Sequence, residues 1–517
     1  MKKNIFTQEW MSMHPYTKID DVDIYYTNLA NRIYHALDTT CFIHQFNNPM
    51  DAKYLALCLA AYFEDVISGT CIWKAFTTEC KKRYGVCVPF YLGESTIEGC
   101  LIHEGSDGIP EYDPDEINLA DIKFILWHHS QQNAEAQTII PPLFGTLEPA
   151  AKSVYDILNS EYETAPENER MHTFLCDMPL KEDDFGTYFM ALEWFQYGCF
   201  FNVGNNKRLA LSMQWLAQNG NYNQASAFAV RTDQIFGSRA NLLSLTSQEW
   251  LAKVSEMHPA HKLWTDTDYR PNRTLVVERE DEKYIYAKDQ YQKDVLKINK
   301  MSFNINDYTP FINGDVAIIT NVVRLGSTWW QIGAVSVPDN DKNLQKYVRE
   351  ERERLNHKQS IKDYNMLKDN GYGSNFVFAD NVDDAVEFVK SLGYDRTKNL
   401  KLPPAKETGV IVYGSPYTGL SIAINIAHCI CSPDNPYYDA AKAEQNCFDI
   451  ISGRGNAFPY EIVCRLIAGN MLPDANMFAS KYLKDIGRRI TQENLPFLAD
   501  YYLSGRLDKD ISPMELW

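Results

Sequence analysis

The chain has 517 residues, 45% of them hydrophobic and 23% charged, which are the proportions of a folded globular protein and exclude wholesale disorder. At roughly 100–200 residues per domain, that length excludes one small core and predicts about three domains. The 50 Lys and Arg stand against 68 Asp and Glu, a formal net charge of −18, so phosphate-backbone binding meets long-range repulsion and general nucleic-acid binding is disfavoured.

The first residues, Met1-Lys2-Lys3-Asn4-Ile5-Phe6, have two lysines but no apolar run behind them, so no signal peptide is expected. Residues 1–265 read as a helical lobe. Its centre is the run Tyr54 to Ile67, apolar on nearly every face and followed by the stop Ser68-Gly69. Glu64 and Asp65 interrupt this run, which makes it a buried helix and not a membrane span. A second helix is predicted from Pro114-Asp115 through Trp127, packed on the first, with acids at its positive N-terminal end. Further helices follow over 184–202, 207–217 and 223–236, the last two joined as a hairpin through Asn219-Gly220-Asn221-Tyr222-Asn223.

Residues 266–340 change character. The short β-rich runs Thr274–Val277, Tyr284–Tyr286, Val316–Ile319 and Trp329–Val335, with turns at Gly314-Asp315 and Leu325-Gly326-Ser327, predict a small barrel or curled sheet. Residues 341–400 begin with a long polar helix over 342–369. A strand at Phe376–Phe378 follows, then a helix from Val382 to Leu392 capped by Asp380 or Asn381 and ended by Gly393. Residues 401–517 open on the linker Lys401–Lys406. A hairpin of Val410–Tyr413 and Leu420–Ile424 comes next, then helices over 437–452, 459–469, 474–490 and 492–504. The fold class is therefore α+β: a helical N-terminal lobe, a central β module, and a C-terminal lobe with a small sheet and helices. Gln8-Glu9-Trp10 before Met13-His14-Pro15 is echoed by Gln248-Glu249-Trp250 before Met257-His258-Pro259, without sustained similarity beyond.

Several stretches carry a resemblance. They are Glu9-Trp10 with His14-Pro15-Tyr16-Thr17-Lys18, Ala61 to Gly69, and Tyr84-Gly85 with Pro89-Phe90-Tyr91. To these add Asp115-Glu116-Ile117-Asn118, Phe124 to His128, Asn435-Pro436-Tyr437-Tyr438 and Leu472-Pro473-Asp474-Ala475. Together they resemble a bacterial family of large soluble proteins catalogued only as a domain of unknown function. The resemblance spans most of the chain, implies a bacterial cytoplasmic setting, and brings no catalytic residue with it.

Signature motifs of phosphate, dinucleotide, serine-hydrolase and zinc chemistry are missing: no GxxxxGK[ST], GxGxxG after a strand, GxSxG, HExxH or paired CxxC occurs. The constellation closest to chemistry is Glu64 and Asp65 at the end of the first helix with His128, beside His129, at the end of the second. If those ends converge, two carboxylates and an imidazole meet in partial burial, where a carboxyl pKa rises or a divalent metal binds. The alternative is solvation and turn-capping.

Seven acids between Glu104 and Asp121 (Glu104, Asp107, Glu111, Asp113, Asp115, Glu116 and Asp121) lack EF-hand spacing and read as a solvated loop. His428-Cys429-Ile430-Cys431, with Cys447 and Cys464 downstream, is one soft cluster where zinc needs four converging ligands. Glu169-x-x-His172 has di-iron spacing without its second motif. His258-Pro259-Ala260-His261 reads as a turn.

Trp329-Trp330 lies on a strand, where neighbours face opposite sides. One indole is expected in the core and the other exposed as a partner anchor, unless the helix over 342–369 covers it. The 12 cysteines, Cys58, Cys199 and Cys464 among them, sit mostly singly in apolar segments and read as reduced thiols in a cytoplasmic protein. The function expected is a non-enzymatic interaction or scaffold protein with a protein partner and no cofactor. The alternative is a metal-dependent or acid–base hydrolase using Glu64, Asp65 and His128. Binding of a specific RNA through the β module is a third class, against which Arg324 stands as the single Lys or Arg between Lys300 and Lys342.

Overall fold

In the computed structural model the apolar run around Tyr54 becomes the helix Pro49–Ser68. Asn48 starts it, its side chain accepting the Met50 N–H at 3.0 Å, and Gly69 stops it in the left-handed conformation at φ 61°. The structure describes residues 4–92, 112–133, 139–178, 181, 184–200, 202–240, 242–256, 261–303, 317–336, 340–373, 375–394, 409–452, 458–479 and 484–503. Glu104, Asp107, Glu111, the turn residues Gly314-Asp315, His258-Pro259-Ala260 and the linker Lys401–Lys406 lie outside the described residues.

The second central helix is Leu119–Asn133. It starts later than Pro114-Asp115 because Asp113 and Asn118 hold a turn: Asp113 Oδ1 accepts the Asp115 N–H at 2.9 Å, and the Asn118 amide donates to the Asp113 and Glu116 carbonyls. The two helices run antiparallel, since Tyr62 donates to Asp121 at 2.7 Å while the Tyr54 and His129 rings lie 5.8 Å apart. The helices Phe185–Tyr197, Val203–Gln218 and Gln224–Gly237 appear as the periodicity predicts.

The middle of the chain is a closed five-stranded barrel in the order β1-β2-β3-β5-β4. Its strands are β1 Asp268–Glu280, β2 Tyr284–Asp289, β3 Val295–Asn299, β4 Ala317–Leu325 and β5 Thr328–Ser336. Three strands are antiparallel neighbours in a meander, and a parallel pairing at Ile298 and Trp329 closes the circle. Strand β3 is absent from the sequence reading because Val295–Asn299 holds only three apolar residues. Pro271 lies within β1, at a register shift between Arg270 and Arg273 where Pro is tolerated.

The expectation of one exposed tryptophan is corrected: Trp329 is 6% exposed and Trp330 4%. Alternation does send them to opposite sides, but both sides are covered. Trp329 enters the barrel core, with the Arg270 guanidinium 4.3 Å from its ring centroid. Trp330 stacks on Phe185 at 5.1 Å, so the cover is the helix Phe185–Tyr197. The polar helix Asn340–Asp369 instead packs Leu367 on the second sheet, against Val410, Val412 and Leu420.

That sheet has the antiparallel order β6 Val377–Ala379, β7 Val410–Ser415, β8 Gly419–Ile424. Gly419 is required at its turn: its φ is 78°, and a Cβ there would lie 3.0 Å from the Ser360 Cα. The helices Val382–Ser391, Ala440–Ile451, Tyr460–Ala468 and Leu495–Leu503 match the sequence reading. The helix expected over 474–490 is Lys484–Glu493. Phe478 is drawn into an extended bridge with Ile139, and the Ala479 N–H bonds the Ile139 carbonyl at 3.1 Å.

The largest core runs through the whole helical region and into the C-terminal helices. Phe497 inserts among Phe90, Phe124 and Trp127, at ring separations of 5.4, 5.8 and 6.0 Å. Beside it, the fully buried Asp500 accepts hydrogen bonds from Tyr84, from Tyr460 and, at 3.3 Å, from Arg83. Its backbone carbonyl takes the Ser244 hydroxyl at 2.6 Å. Asp500→Ala removes the acceptor shared by Tyr84, Tyr460 and Arg83 and leaves the buried Arg83, among the described residues, with only Glu79, at 3.7 Å, as a charged partner, so the expected loss in urea unfolding is about 3–5 kcal/mol. Phe497→Ala is expected to lose a similar amount through the cavity it leaves, about 3–5 kcal/mol.

Candidate functional site

The chain reverses after the short helix Thr7–Met11, and the reversal sets His14 against the central helix. His14 Nδ1 faces the Trp10 carbonyl at 2.9 Å and Nε2 faces a Glu64 oxygen at 2.9 Å. Two acceptors on the two ring nitrogens require both to carry protons, so the geometry is that of an imidazolium. Both side chains are buried, 2% and 5% exposed. Burial opposes the His14 charge, yet the Glu64 carboxylate, the Trp10 carbonyl and Asp23 outweigh it and hold the pKa above 6.5.

The other Glu64 oxygen accepts the Asn168 amide at 2.7 Å. Asn168 also donates to the Tyr16 hydroxyl at 2.6 Å, and its backbone N–H reaches Ser68 Oγ at 2.8 Å. At the outer edge, Arg170 pairs with Asp20 and Asp23 at 2.9 and 2.8 Å and covers the Tyr16 ring at 3.8 Å.

Asp65 has a separate task. It accepts the Thr70 hydroxyl and the Ile72 and Trp73 N–H groups at 2.9 and 2.7 Å, so it caps the helix Ile72–Tyr84 from outside the usual cap position, which Cys71 fills with no side-chain bond. Burial pushes its carboxyl up against those three bonds, to about 6.

His128 joins neither acid. Its Nδ1 meets the Tyr501 hydroxyl at 2.9 Å and its ring stacks near Phe124, at the far end of the antiparallel helix pair. With residue 62 opposite 121 and 54 opposite 129, residue 128 falls opposite the start of the first helix. At 1.5 Å per residue that is roughly 13 Å along the axis from Glu64. The proposed convergence of Glu64 and Asp65 with His128 is thereby corrected, because antiparallel packing separates two helix C-termini. His129 is buried, and desolvation with the neighbouring His128 and Lys207 charges keeps it neutral.

Sequence reasoning missed the imidazole that does meet Glu64. The signal was present: His14-Pro15-Tyr16 lies in one of the family-like stretches, but no periodicity links residue 14 to residue 64. His14, Glu64 and Asp65 line a common cavity of about 20 Å³, room for one water. The ring nitrogens of His14 and the oxygens of both acids are engaged by protein groups, which suits an anchor better than a reaction centre. Asp121 is a second such anchor, bound by Tyr62 and, at 3.0 Å, Tyr112, and pushed by burial to about 7.

The remaining sequence candidates do not converge. His172 pairs with Asp177 at 3.2 Å on the surface, and His428 turns to Asn446 at 3.1 Å. Cys429 and Cys447 are buried while Cys431 is exposed. Among the described residues no group of three or more His, Cys, Asp or Glu is placed to hold a metal ion. On the outer face of the barrel Arg279 covers Tyr286 at 3.5 Å and Lys297 covers Tyr284 at 4.1 Å, with Glu280 and Asp281 bound alongside. That face is self-neutralised.

An unexpected surface lies on the helix hairpin of Val203–Gln218 and Gln224–Gly237. Leu211, Trp215, Tyr222 and Phe228 are 66%, 60%, 60% and 49% exposed. The hairpin is closed by Gln234 donating to Ser212 at 3.0 Å, and its second helix is started by Asn223. Leu211 and Trp215 are one turn apart on one face.

The chain matches the family described as "Protein of unknown function (DUF3843)" over residues 4–295 and 324–504, and it belongs to that family. No curated protein and no solved structure matches it.

The His14–Glu64 pair makes stability depend on pH in a defined direction. The folded pKa of His14 is raised above 6.5, so its contribution is complete below about pH 6.5 and is lost as pH rises through the folded value. His14→Ala is expected to cost about 2–3 kcal/mol at about pH 6 and distinctly less at about pH 9, read as the wild-type-minus-variant difference in urea midpoints. Taking that difference removes the titration of Asp65, which falls in the same range.

Proposed function

We propose that this member of the unknown-function family is a cytoplasmic, non-enzymatic interaction protein that joins a second copy of itself through the hairpin of residues 203–237. The observation that carries the reading is the set of exposed apolar side chains Leu211, Trp215, Tyr222 and Phe228 on that hairpin. Large exposed apolar side chains gathered on one hairpin suit a contact surface, and an indole gives large contact area at small entropic cost.

The second copy is favoured as occupant by charge. No Asp, Glu, Lys, Arg or His occurs from Leu209 to Val230, 22 residues in a chain of net charge −18. Two such molecules repel over most of their surfaces, and the uncharged stretch 209–230 of the hairpin lets them meet without like charges in register. Homodimer contacts are also the more apolar class, and a two-fold axis needs just one self-complementary patch.

The interior supports the same reading. Glu64, Asp65 and His14 are saturated by protein partners around a cavity of about 20 Å³, and His128 is remote from both acids. A hydrolase built on Glu64, Asp65 and His128 has no observation in its favour. The 11 free thiols among the described residues suit a reducing cytoplasm.

Native mass spectrometry and sedimentation velocity across a micromolar dilution series are expected to show a dimer. Trp215→Ser and Leu211→Ser are each expected to weaken it by about tenfold or more. The fold should be unchanged in both, since these side chains bury little area in the monomer. A monomer at every concentration, a dimer indifferent to both substitutions, or a monomer whose hairpin binds only a different protein would overturn the reading.

A further inference from the structure

The turn Ser68-Gly69-Thr70-Cys71 separates the buried polar cluster from a cleft of about 300 Å³, lined by Cys71, Lys74, Glu79, Cys176 and Lys253 among others. Cys71 precedes the helix Ile72–Tyr84, and Cys176 ends the helix Glu169–Cys176. Both thiols point at one acceptor. The Cys71 sulfur lies 3.4 Å from the Gly69 carbonyl oxygen and the Cys176 sulfur 3.9 Å from the same atom. The sulfurs are therefore no farther apart than the sum of those distances, about 7 Å, and a disulfide requires that they approach to about 2 Å.

We propose that Cys71 and Cys176 are a redox-active dithiol, converted reversibly to a disulfide across the mouth of this cleft by a low-molecular-weight disulfide. Other neighbouring thiols differ in access. Cys58 and Cys199 are both buried, as are Cys429 and Cys447, and Cys80 is buried beside a partly exposed Cys87. Cys71 and Cys176 are both partly exposed, so a small reagent reaches them from solvent.

The helix ends that carry them are held independently. Asp65 caps the Ile72–Tyr84 helix, and Asn168, bound to Glu64 and Ser68, starts the Glu169–Cys176 helix. The pair is thus presented on two anchored elements and does not depend on a loose loop.

The exchange balances without a metal or flavin. The Cys71 thiol loses its proton and its thiolate attacks one sulfur of RSSR, releasing RS⁻, which takes that proton. The Cys176 thiolate then attacks the Cys71 sulfur of the mixed disulfide, and the second RS⁻ leaves and is protonated by the hydrogen Cys176 gave up. The protein loses two hydrogens and RSSR becomes two RSH.

Burial raises both thiols, Cys176 to about 11 with Cys71 and Asp177 adding to it. At Cys71 burial, Asp65 and Asp115 raise the thiol and the Lys74 ammonium opposes them. Exchange is accordingly slow at neutral pH and is best followed to equilibrium.

The test equilibrates the full chain in mildly alkaline buffers of glutathione and glutathione disulfide, traps free thiols by alkylation and maps the peptides. The expected result is a Cys71–Cys176 peptide as the principal cross-link, present in most molecules in the oxidising buffer and abolished by dithiothreitol. Cys71→Ser and Cys176→Ser each eliminate it, leaving the other thiol free or as a glutathione adduct. Recovery of both residues alkylated, of separate glutathione adducts on each in the wild type, or of cross-links chiefly to the exposed Cys41 or Cys431 would overturn the proposal.

Discussion

The bond from Tyr62 to the buried Asp121 sets the register of the two central helices, and most of the architecture follows from that register. It fixes them antiparallel, with the ring of Tyr54 against His129 at the other end. The acidic end of the first helix then faces the start of the second, and only another segment can neutralise it. The N-terminal turn does so with His14. A buried carboxylate left without that partner would cost several kcal/mol, so Glu64 helps fix the N-terminal turn, together with Asn31, which holds the Asn4 and Ile5 backbone, and Asp23, which accepts from Trp10.

Satisfaction of buried polar groups also explains how distant parts of the chain are joined. Asp500 gathers Arg83 and Tyr84 from one helix and Tyr460 from another, while Asn168 ties Glu64, Tyr16 and Ser68. In each case the apolar contacts supply area and the polar group supplies uniqueness, because few arrangements leave such groups fully bonded. The same saturation leaves the interior acids poorly suited to chemistry. Accessible side chains are found instead at the exposed hairpin and in the thiol-lined cleft.

Much of the fold was legible because local physics decides it. The apolar run at Tyr54, the left-handed stop at Gly69, the cap at Asn381, the hairpin at Asn219–Asn223 and the β-branched runs after residue 270 each specify their element within a few residues. Even the faint echo of Gln8-Glu9-Trp10 in Gln248-Glu249-Trp250 has a local origin. In both, the glutamate reaches back to the backbone N–H three residues earlier, at 2.7 and 2.8 Å, and the tryptophan is buried. The helix expected over 474–490 failed for the opposite reason: its first residues are claimed by a bridge to Ile139, hundreds of positions away.

By itself the sequence determined where most helices and strands form, which residues are apolar enough to build the cores, and that a small β module divides two largely helical regions. Only the tertiary structure decided which groups meet. Periodicity records the face a residue takes on its own element, and it carries no information about the element packed against that face. Hence Glu64 found His14 and not His128, Trp330 found Phe185, and two thiols separated by more than a hundred positions came to share one carbonyl oxygen.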